Sequence, residues 1–216
     1  MNMTTVTPEN VWTVVVAAGS GTRFGGAKQF EMVGDRRVVD WSTTAAHSVS
    51  NGVVVVVPEA YAERESGIAG GSTRSASVRC GLAVVPAEAT IICVHDAARP
   101  FASEQLFREV VAAIHNGADG AVPALAVVDT IKQVDAHNVV VATPNRASLV
   151  AVQTPQAFRA SVLREAHSVN PEGTDDAALV EALGKRVVVI PGESLNRKLT
   201  TMADLQWARA AARGEV

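Results

Sequence analysis

The chain alternates between short apolar runs and longer stretches in which apolar residues recur at helical spacing. The short runs predict buried strands at Trp12 to Ala17, Val53 to Val57, Thr90 to His95, Gly120 to Ala124 and Val187 to Ile190. The longer stretches predict helices at Val38 to Val49, at Ser75 to Val84, at Glu104 to His115 after an N-cap at Ser103, and from Thr201 through Arg213. This order predicts an α/β fold with a mostly parallel twisted sheet that is covered on both faces.

One segment departs from this alternation. Between Ala126 and Leu149, two β-branched pieces, Thr130 to Val134 and Asn138 to Ala142, flank a polar turn and predict a β-hairpin outside the main sheet. A long hairpin has unpaired edges and little core of its own. We therefore expect a single domain over residues 1–216 with a projecting arm at about 126–149 that packs against a second subunit.

Composition excludes several classes of partner. The 216 residues carry a net charge of −3, so no basic field attracts nucleic acid or a membrane surface. The segment Met1 to Asn10 lacks the basic and apolar regions of a secretory signal, and the apolar runs are too short to span a bilayer, so we expect a cytoplasmic protein. Cys80 and Cys93 have no metal-like spacing and are expected to be two buried thiols.

The first strand runs into a turn of small residues, Ala18-Gly19-Ser20-Gly21, which Arg23 and Lys28 follow. Small residues allow backbone N–H groups to approach a polyphosphate, and the two cations add charge where phosphate oxygens crowd. This combination indicates a nucleotide triphosphate site.

Other interpretations of this loop fit less well. A P-loop needs Gly-Lys-Ser/Thr five residues after its first glycine, but Phe24 stands there. A dinucleotide fingerprint needs a glycine at the same position, and no acidic residue closes the second strand, which ends in Pro58. A plain strand-to-helix turn is also possible, but it gives no reason for two cations. The pattern favours a nucleotidyltransferase loop.

The third strand ends in His95-Asp96-Ala97-Ala98-Arg99. A carboxylate at a strand end suits Mg²⁺, which binds few carboxylates together with phosphate oxygens, and this makes Asp96 a candidate ligand. The alternatives for Asp96 are a helix cap or a salt bridge to Arg99. His95 is expected to make a structural hydrogen bond.

Two further loops enter predicted helices. Gly70-Gly71-Ser72-Thr73 can bind a base edge or a ribose through its backbone and hydroxyl groups, or it is a plain loop with Ser75 as the helix cap. Asp175 and Asp176 are expected at a helix N-terminus, where carboxylates interact favourably with the helix dipole.

Taken together, the motifs AAGSGTRF, AKQF, GGSTRSASV, VHDAARP, DTIK, QTPQAF, TDDAALVE and NRKLTT occur in this order over most of the chain. The set resembles that of the 2-C-methyl-D-erythritol 4-phosphate cytidylyltransferases, the IspD family. The resemblance implies a Rossmann-like nucleotidyltransferase fold, a homodimer joined through the arm, and transfer of a cytidylyl group from CTP to 2-C-methyl-D-erythritol 4-phosphate, with release of pyrophosphate. A phosphate monoester is largely dianionic near pH 7, so this reaction needs positioning and charge screening and no general base.

The resemblance also implies roles for individual residues. Arg23 and Lys28 would stabilise charge on the α-phosphate and the leaving pyrophosphate, and Asp96 would bind Mg²⁺. CTP would be contacted by the small residues Ala17, Ala18, Gly19, Gly21, Gly71 and Ser77. The acceptor would be held by Arg99, Thr154, Lys198 and, from the neighbouring subunit's arm, Thr130 and Arg146.

The chain departs from the usual family pattern at Ala27, where proline is common, at Ser72, where an acid is common, and at Leu195, which leaves Glu193 as the nearest acid to the last motif. Three other functions remain as alternatives. They are ribitol-5-phosphate cytidylyltransferase, a non-catalytic nucleotide-binding protein, and an NAD-dependent oxidoreductase, which the failed glycine fingerprint disfavours.

Overall fold

The computed structural model describes residues 10–19, 21 and 24–215. The strands in these residues are β1 (Val11–Val16), β2 (Met32–Val33), β3 (Arg36–Arg37), β4 (Gly52–Val57), β5 (Ile68–Ala69), β6 (Ile91–Asp96), β7 (Gly120–Ala126), β8 (Gln133–Val134), β9 (Val140–Ala142), β10 (Val150–Val152), β11 (Gln156–Arg159) and β12 (Val187–Pro191). The α-helices are α1 (Val38–His47), α2 (Arg74–Leu82), α3 (Glu104–His115), α4 (Ala160–His167), α5 (Asp176–Ala182) and α6 (Met202–Ala212).

In the described part of the chain, eight strands form the main sheet. Its order is β7-β11-β6-β1-β4-β5, and both β10 and β12 also pair with β7. The pairs β1–β4, β1–β6, β4–β5 and β7–β12 are parallel, whereas β11 runs antiparallel to β6 and β7, and β10 runs antiparallel to β7. The predicted α/β class with a mostly parallel sheet is confirmed.

Helices cover both faces of this sheet. The neighbouring residues Val14 and Val15 of β1 are both fully buried but lie in different apolar clusters. Val14 packs with residues of α2, α4 and α5, and Val15 packs with residues of α1 and α3. Since successive side chains of a strand point to opposite faces, the sheet is enclosed from both sides, which explains its continuous apolar strands.

At most of the helix starts, the N-cap side chain accepts a hydrogen bond from a backbone N–H group of the first turn. Ser103 accepts from the Leu106 N–H at 3.0 Å, as the sequence predicts. Thr201, predicted as the start of the last helix, forms a capping box with Asp204. Ser75, the helix cap in the alternative interpretation of the second glycine loop, is not the cap. Thr73 accepts from the Ala76 N–H at 3.0 Å, and Ser75 is buried inside the helix.

Sequence periodicity missed β10, β11 and α4. Strand β11 has four residues and begins with the buried polar side chain of Gln156, so it shows neither an apolar run nor a clear alternation. Its Phe158 is fully buried and lies opposite Gly120, where a Cβ atom would come within 2.9 Å of the Phe158 ring. The pairing depends on this contact between distant segments, which a local pattern does not reveal.

The arm, residues 127–149, links β7 to β10. Its hairpin is shorter than predicted, since only Gln133–Val134 and Val140–Ala142 pair as strands. The predicted turn is present: the Asp135 Oδ1 atom accepts from the His137 and Val139 N–H groups, both at 2.9 Å. No side chain of the arm is buried in this chain.

The two cysteines are free thiols, and the prediction that both are buried holds for one of them. Cys93 in β6 is fully buried, and burial raises the pKa of its thiol to about 12. Cys80 in α2 is half-buried.

Candidate active site

An open cleft of about 540 Å³ lies at the carboxyl ends of β1 and β6. Val16 and Asp96 are register partners at these strand ends, so the two loops that follow them start side by side. In sheets of this kind, ligands bind at the carboxyl ends of the strands. Nine predicted site residues line the cleft: Ala17, Ala18, Gly19, Gly21, Lys28, Gly71, Ser77, Asp96 and Lys198.

The small-residue loop after β1 turns tightly at Gly21. This glycine has φ +65°, and its carbonyl accepts from the Phe24 and Gly25 N–H groups, both at 2.8 Å. A Cβ at Gly21 would lie 1.8 Å from the Gly26 carbonyl oxygen, so only glycine fits this turn. Ser20, Thr22 and Arg23 lie outside the described residues, and the role of Arg23 therefore stays a prediction.

A second glycine loop lies against the first. A Cβ at Gly70 would come within 2.3 Å of the Ala18 Cβ atom, which shows how closely the two loops approach. The Ser77 hydroxyl donates to the Thr73 carbonyl at 2.8 Å and so holds this loop at the start of α2. Gly71, Ser72 and Ser77 all line the cleft, and ligand binding by this loop stays a prediction.

Two lysines also line the cleft. The Lys28 Nζ atom donates to the Leu199 carbonyl at 2.7 Å, and the Lys198 Nζ atom donates to the Asp96 Oδ2 atom at 2.6 Å. The Leu199 N–H donates to the Ala98 carbonyl at 2.7 Å, which anchors the segment that carries Lys198 beside the end of β6. Lys28 follows Ala27, whose φ of −75° lies within the range that proline would impose.

Asp96 is paired with two cations, and the salt bridge to Arg99 that was the alternative to a metal ligand is not formed. Its Oδ1 atom accepts from Arg74 Nε at 3.1 Å, and its Oδ2 atom accepts from Lys198. Burial raises the pKa of the Asp96 carboxyl, but the nearby charges of Arg74 and Lys198 outweigh burial and hold this pKa well below its usual range. Asp96 is therefore ionised at neutral pH.

A smaller cavity of about 180 Å³ adjoins the cleft and shares Arg74, Asp96 and Lys198 with it. Arg99 and Thr154, two predicted acceptor-binding residues, line this second cavity. The Arg99 guanidinium donates to the Asn196 carbonyl at 2.8 Å, and its pKa is lowered chiefly by burial.

His95 makes structural hydrogen bonds, as predicted. Its Nδ1 atom lies 3.1 Å from the Thr154 hydroxyl, and its Nε2 atom lies 3.3 Å from the Arg99 carbonyl. The ring is fully buried, and burial lowers its pKa to about 4, so the imidazole is neutral at pH 7. It lines neither cavity.

The donor set fits Mg²⁺ only together with a nucleotide. Both oxygens of Asp96 already accept from cations, and Glu193 bonds to the N–H and hydroxyl groups of Ser103 instead of facing the cleft. Among residues 10–19, 21 and 24–215, no cluster of three or more His, Cys, Asp and Glu side chains is arranged to hold a metal. An ion held mainly by triphosphate oxygens, with Asp96 as one protein carboxylate, is compatible with these residues.

Two predicted site residues do not line the cavities of this chain. Thr130 and Arg146 are on the exposed arm and line neither cavity, and the Arg146 guanidinium donates to the Val128 carbonyl.

Two residues that line the cleft, Arg74 and Gln29, were not predicted from the sequence. Both face the cleft, and each has a buried nitrogen without a hydrogen-bond partner. Arg74 lies in the motif GGSTRSASV and Gln29 in the motif AKQF. Membership of these motifs was the feature of the sequence that could have identified them as site residues.

The comparison with known proteins is consistent along the whole described chain. Residues 11–213 match the profile of the family described as IspD, 2-C-methyl-D-erythritol 4-phosphate cytidylyltransferase. The enzyme of that name from Nocardia farcinica is 41% identical over 213 residues, which cover 92% of each protein.

A bifunctional IspD/IspF enzyme from Solidesulfovibrio magneticus is 40% identical, and the match covers 94% of this chain but only 58% of the longer enzyme. The crystal structure of the cytidylyltransferase from Thermus thermophilus superposes with a TM-score of 0.80 at 34% identity. That superposition covers 93% of this chain and 98% of the other.

Proposed function

This chain belongs to the family of 2-C-methyl-D-erythritol 4-phosphate cytidylyltransferases, and from that membership we propose how its residues carry out the reaction. The enzyme is a nucleotidyltransferase. It transfers a cytidylyl group from CTP to 2-C-methyl-D-erythritol 4-phosphate, which yields 4-diphosphocytidyl-2-C-methyl-D-erythritol and pyrophosphate for isoprenoid synthesis.

The observation that carries the proposal is the pair of adjoining cavities that share Asp96, Arg74 and Lys198. The larger cleft, with its two glycine loops, takes CTP, and the smaller cavity takes the acceptor phosphate. Their shared wall is where the acceptor oxygen meets the α-phosphorus, because both substrates border it. Holding two reactants in one geometry supplies much of the rate enhancement in such reactions.

The acceptor phosphate attacks without a general base. One of its oxygens forms a bond to the α-phosphorus while the bond from this phosphorus to the bridging oxygen breaks, and pyrophosphate leaves with that oxygen. The monoester is already largely dianionic, since its second pKa is about 6. His95, the nearest imidazole to Asp96 in sequence, is buried outside both cavities and is neutral, which supports a mechanism without it.

The cations divide between the two substrates. Arg23 and Lys28 stabilise the charge that builds on the α-phosphate and on the leaving pyrophosphate. Lys198 and Arg99, with Thr154, hold the acceptor phosphate for in-line attack. Lys198 suits this task because its ammonium group faces both cavities and is oriented by Asp96 at 2.6 Å.

The cofactor is Mg²⁺, which neutralises triphosphate charge when bound. Asp96 is the residue that would hold it, through an oxygen lone pair that its present partners Arg74 and Lys198 leave open. The CTP contacts come from Ala17, Ala18, Gly19, Gly21, Gly71 and Ser77, mostly through backbone groups. Neighbouring glycines suit this task because they leave the N–H groups open to phosphate oxygens.

The active form is a homodimer in which the arm of one subunit completes the site of the other. Thr130 and Arg146 lie on the arm, away from the cavities of their own chain, and the arm exposes Val128, Val139, Val140 and Val141. The whole chain acts as a single domain in the cytoplasm. Within the described part of the chain, no helix has the length and hydropathy to cross a membrane.

A paired assay tests the substrate. Purified protein is supplied with CTP and Mg²⁺, together with either 2-C-methyl-D-erythritol 4-phosphate or ribitol 5-phosphate, and pyrophosphate release is followed. We expect release with the methylerythritol phosphate. Release only with the ribitol phosphate, or release with neither substrate from folded protein, would contradict the proposed function.

A further inference from the structure

A line of alternating basic and acidic side chains runs from the interior into the active site. His167 Nε2 lies 2.9 Å from Asp176 Oδ1, and Asp176 Oδ2 accepts from Arg74 Nη1 at 2.8 Å. Arg74 Nε in turn donates to Asp96, whose other oxygen accepts from Lys198. We call these five residues the charge chain.

The inner end of the charge chain has no access to substrate. Asp176 is fully buried, His167 is 5% exposed, and neither residue lines either cavity. A buried carboxylate is stable only when it is paired and hydrogen-bonded, and each oxygen of Asp176 has one such partner. The hydrogen bond to Arg74 is therefore the polar link from the Asp176 side chain to the residues that line both cavities.

Arg74 is suited to join two carboxylates. Its Nε and Nη1 atoms donate to Asp96 and Asp176 in directions set by the planar guanidinium, whereas a lysine has a single nitrogen that cannot span both acids in this way. Burial lowers the pKa of Arg74, but the charges of Asp96 and Asp176 outweigh burial and leave it raised. Arg74 is therefore a fixed cation behind Asp96.

We propose that Arg74 and Asp176 are positioning residues for the acceptor phosphate: they fix the carboxylate of Asp96, which fixes the ammonium of Lys198 at the wall between the two cavities. This inference rests on the proposed function, in which Lys198 holds the acceptor. Without Asp176, Arg74 has one carboxylate partner instead of two, and the place of Lys198 is less closely defined. The expected consequence is weaker acceptor binding with CTP binding nearly unchanged.

Steady-state kinetics of Asp176→Asn and Arg74→Lys test this proposal. Asparagine keeps the size of Asp176 but loses its charge. Lysine keeps the charge of Arg74 but loses the planar guanidinium that donates to two carboxylates. In each variant we expect the KM for 2-C-methyl-D-erythritol 4-phosphate to rise about tenfold and the KM for CTP to stay within about twofold. A merely structural loss lowers the active fraction, and so kcat, without this difference between the two substrates.

Two matched controls come from the same chain. Asp40 lies in the first turn of α1 and pairs with Arg37 at 2.7 Å, and Arg79 lies on α2 and donates to the Pro171 carbonyl at 2.8 Å. Neither residue lines a cavity. We expect Asp40→Asn and Arg79→Lys to leave both KM values unchanged.

The double variant Arg74→Lys/Asp176→Asn separates the charge chain from two independent effects. Because Asp176 acts through Arg74, the double variant should have an acceptor KM no higher than that of the more impaired single variant. Unchanged acceptor KM values in both single variants, or multiplied effects in the double variant, would overturn the inference while wild-type activity stands. A folded wild-type protein that releases no pyrophosphate would remove the proposed function and this inference with it.

Discussion

The central sheet and the arm both contain runs of valine, but the sheet buries these side chains and the arm leaves them exposed. Strand β4 includes the run Val53 to Val57, and none of these side chains is exposed. The arm includes Val139, Val140 and Val141, which are 58%, 53% and 57% exposed. A run of valines predicts an extended backbone in both regions, but burial depends on what packs against the strand. The sheet has helices on both faces, whereas no side chain of the arm is buried by the described part of its own chain.

The same contrast divides the candidate site. Asp96 and Lys198 are brought together by the sheet and the segment that crosses its edge, although they are 102 residues apart in sequence. Thr130 and Arg146 stay outside because the arm projects from the sheet. The sheet therefore determines one part of the site within a single chain, and the arm can complete it only between chains.

The largest effect should come from removing a sheet side chain. Phe158→Ala deletes a fully buried ring over Gly120, and we expect the free energy of unfolding to fall by about 3–5 kcal/mol. The matched change in the arm, Val140→Ala, should alter it by less than about 0.5 kcal/mol in the monomer. Urea denaturation followed by circular dichroism measures both. Equal losses would show that the arm is as well packed as the sheet.

Mixed dimers should show whether the arm acts between chains. Lys198→Ala and Arg146→Ala are each expected to lose activity by about a hundredfold, and a heterodimer purified through two different tags should regain about half of wild-type activity, because one of its two sites is then intact. A heterodimer of Lys28→Ala and Lys198→Ala is the control. It should stay inactive, since each change damages the cleft of its own chain.

Recovery in that control, or no recovery in the Lys198→Ala/Arg146→Ala pair, would contradict an arm that acts in trans. In the second case the arm would serve its own chain. Pyrophosphate release per active heterodimer is the measurement for both pairs.

The pH dependence of stability should follow the histidine of the sheet and not that of the arm. The pKa of His95 is about 4 in the folded protein against 6.5 for the ordinary group, so between these values the unfolded chain takes up a proton that the folded protein does not. Stability from this group is complete above about pH 6.5 and falls as the pH drops towards 4, by about 2 kcal/mol at pH 5.

The urea midpoint of the wild type should therefore be lower at pH 5 than at pH 7. This difference should be smaller in His95→Gln. The exposed His137 of the arm is the control, and His137→Gln should keep the wild-type difference. A His95→Gln variant with an unchanged pH dependence would rule out this origin.

The smallest effect concerns association. Val140→Lys places a charge on the exposed apolar face of the arm, and we expect it to weaken the dimer by about tenfold, roughly 1.4 kcal/mol. Val169→Lys is the control, because Val169 is 82% exposed but lies after α4, away from the arm. Light scattering over a concentration series gives the dissociation constants. Equal constants for the two variants would show that the dimer forms elsewhere.

Local pattern predicted the parts of the fold that have a local cause. The strands β1, β4, β6, β7 and β12 are apolar runs, and α3 begins at a serine whose side chain accepts from its first turn. The strand β11 was missed because its place depends on Gly120 and β6, which are far away in sequence. The N-cap of α2 is Thr73 and not the alternative Ser75, and local pattern does not separate two hydroxyl residues that lie within three positions.

The sequence by itself determined the α/β class, the order of the motifs and the family, since these are written in local runs and in ordered residue types. It also located the cleft residues, because polar groups that follow parallel strands meet at one edge of the sheet. Only the tertiary structure decided which side chains pair with Asp96. These are Arg74 and Lys198, with Asp176 and His167 behind Arg74. Ion pairs depend on which side chains the fold brings within a few ångströms in a buried place, and residue spacing along the chain does not contain that distance.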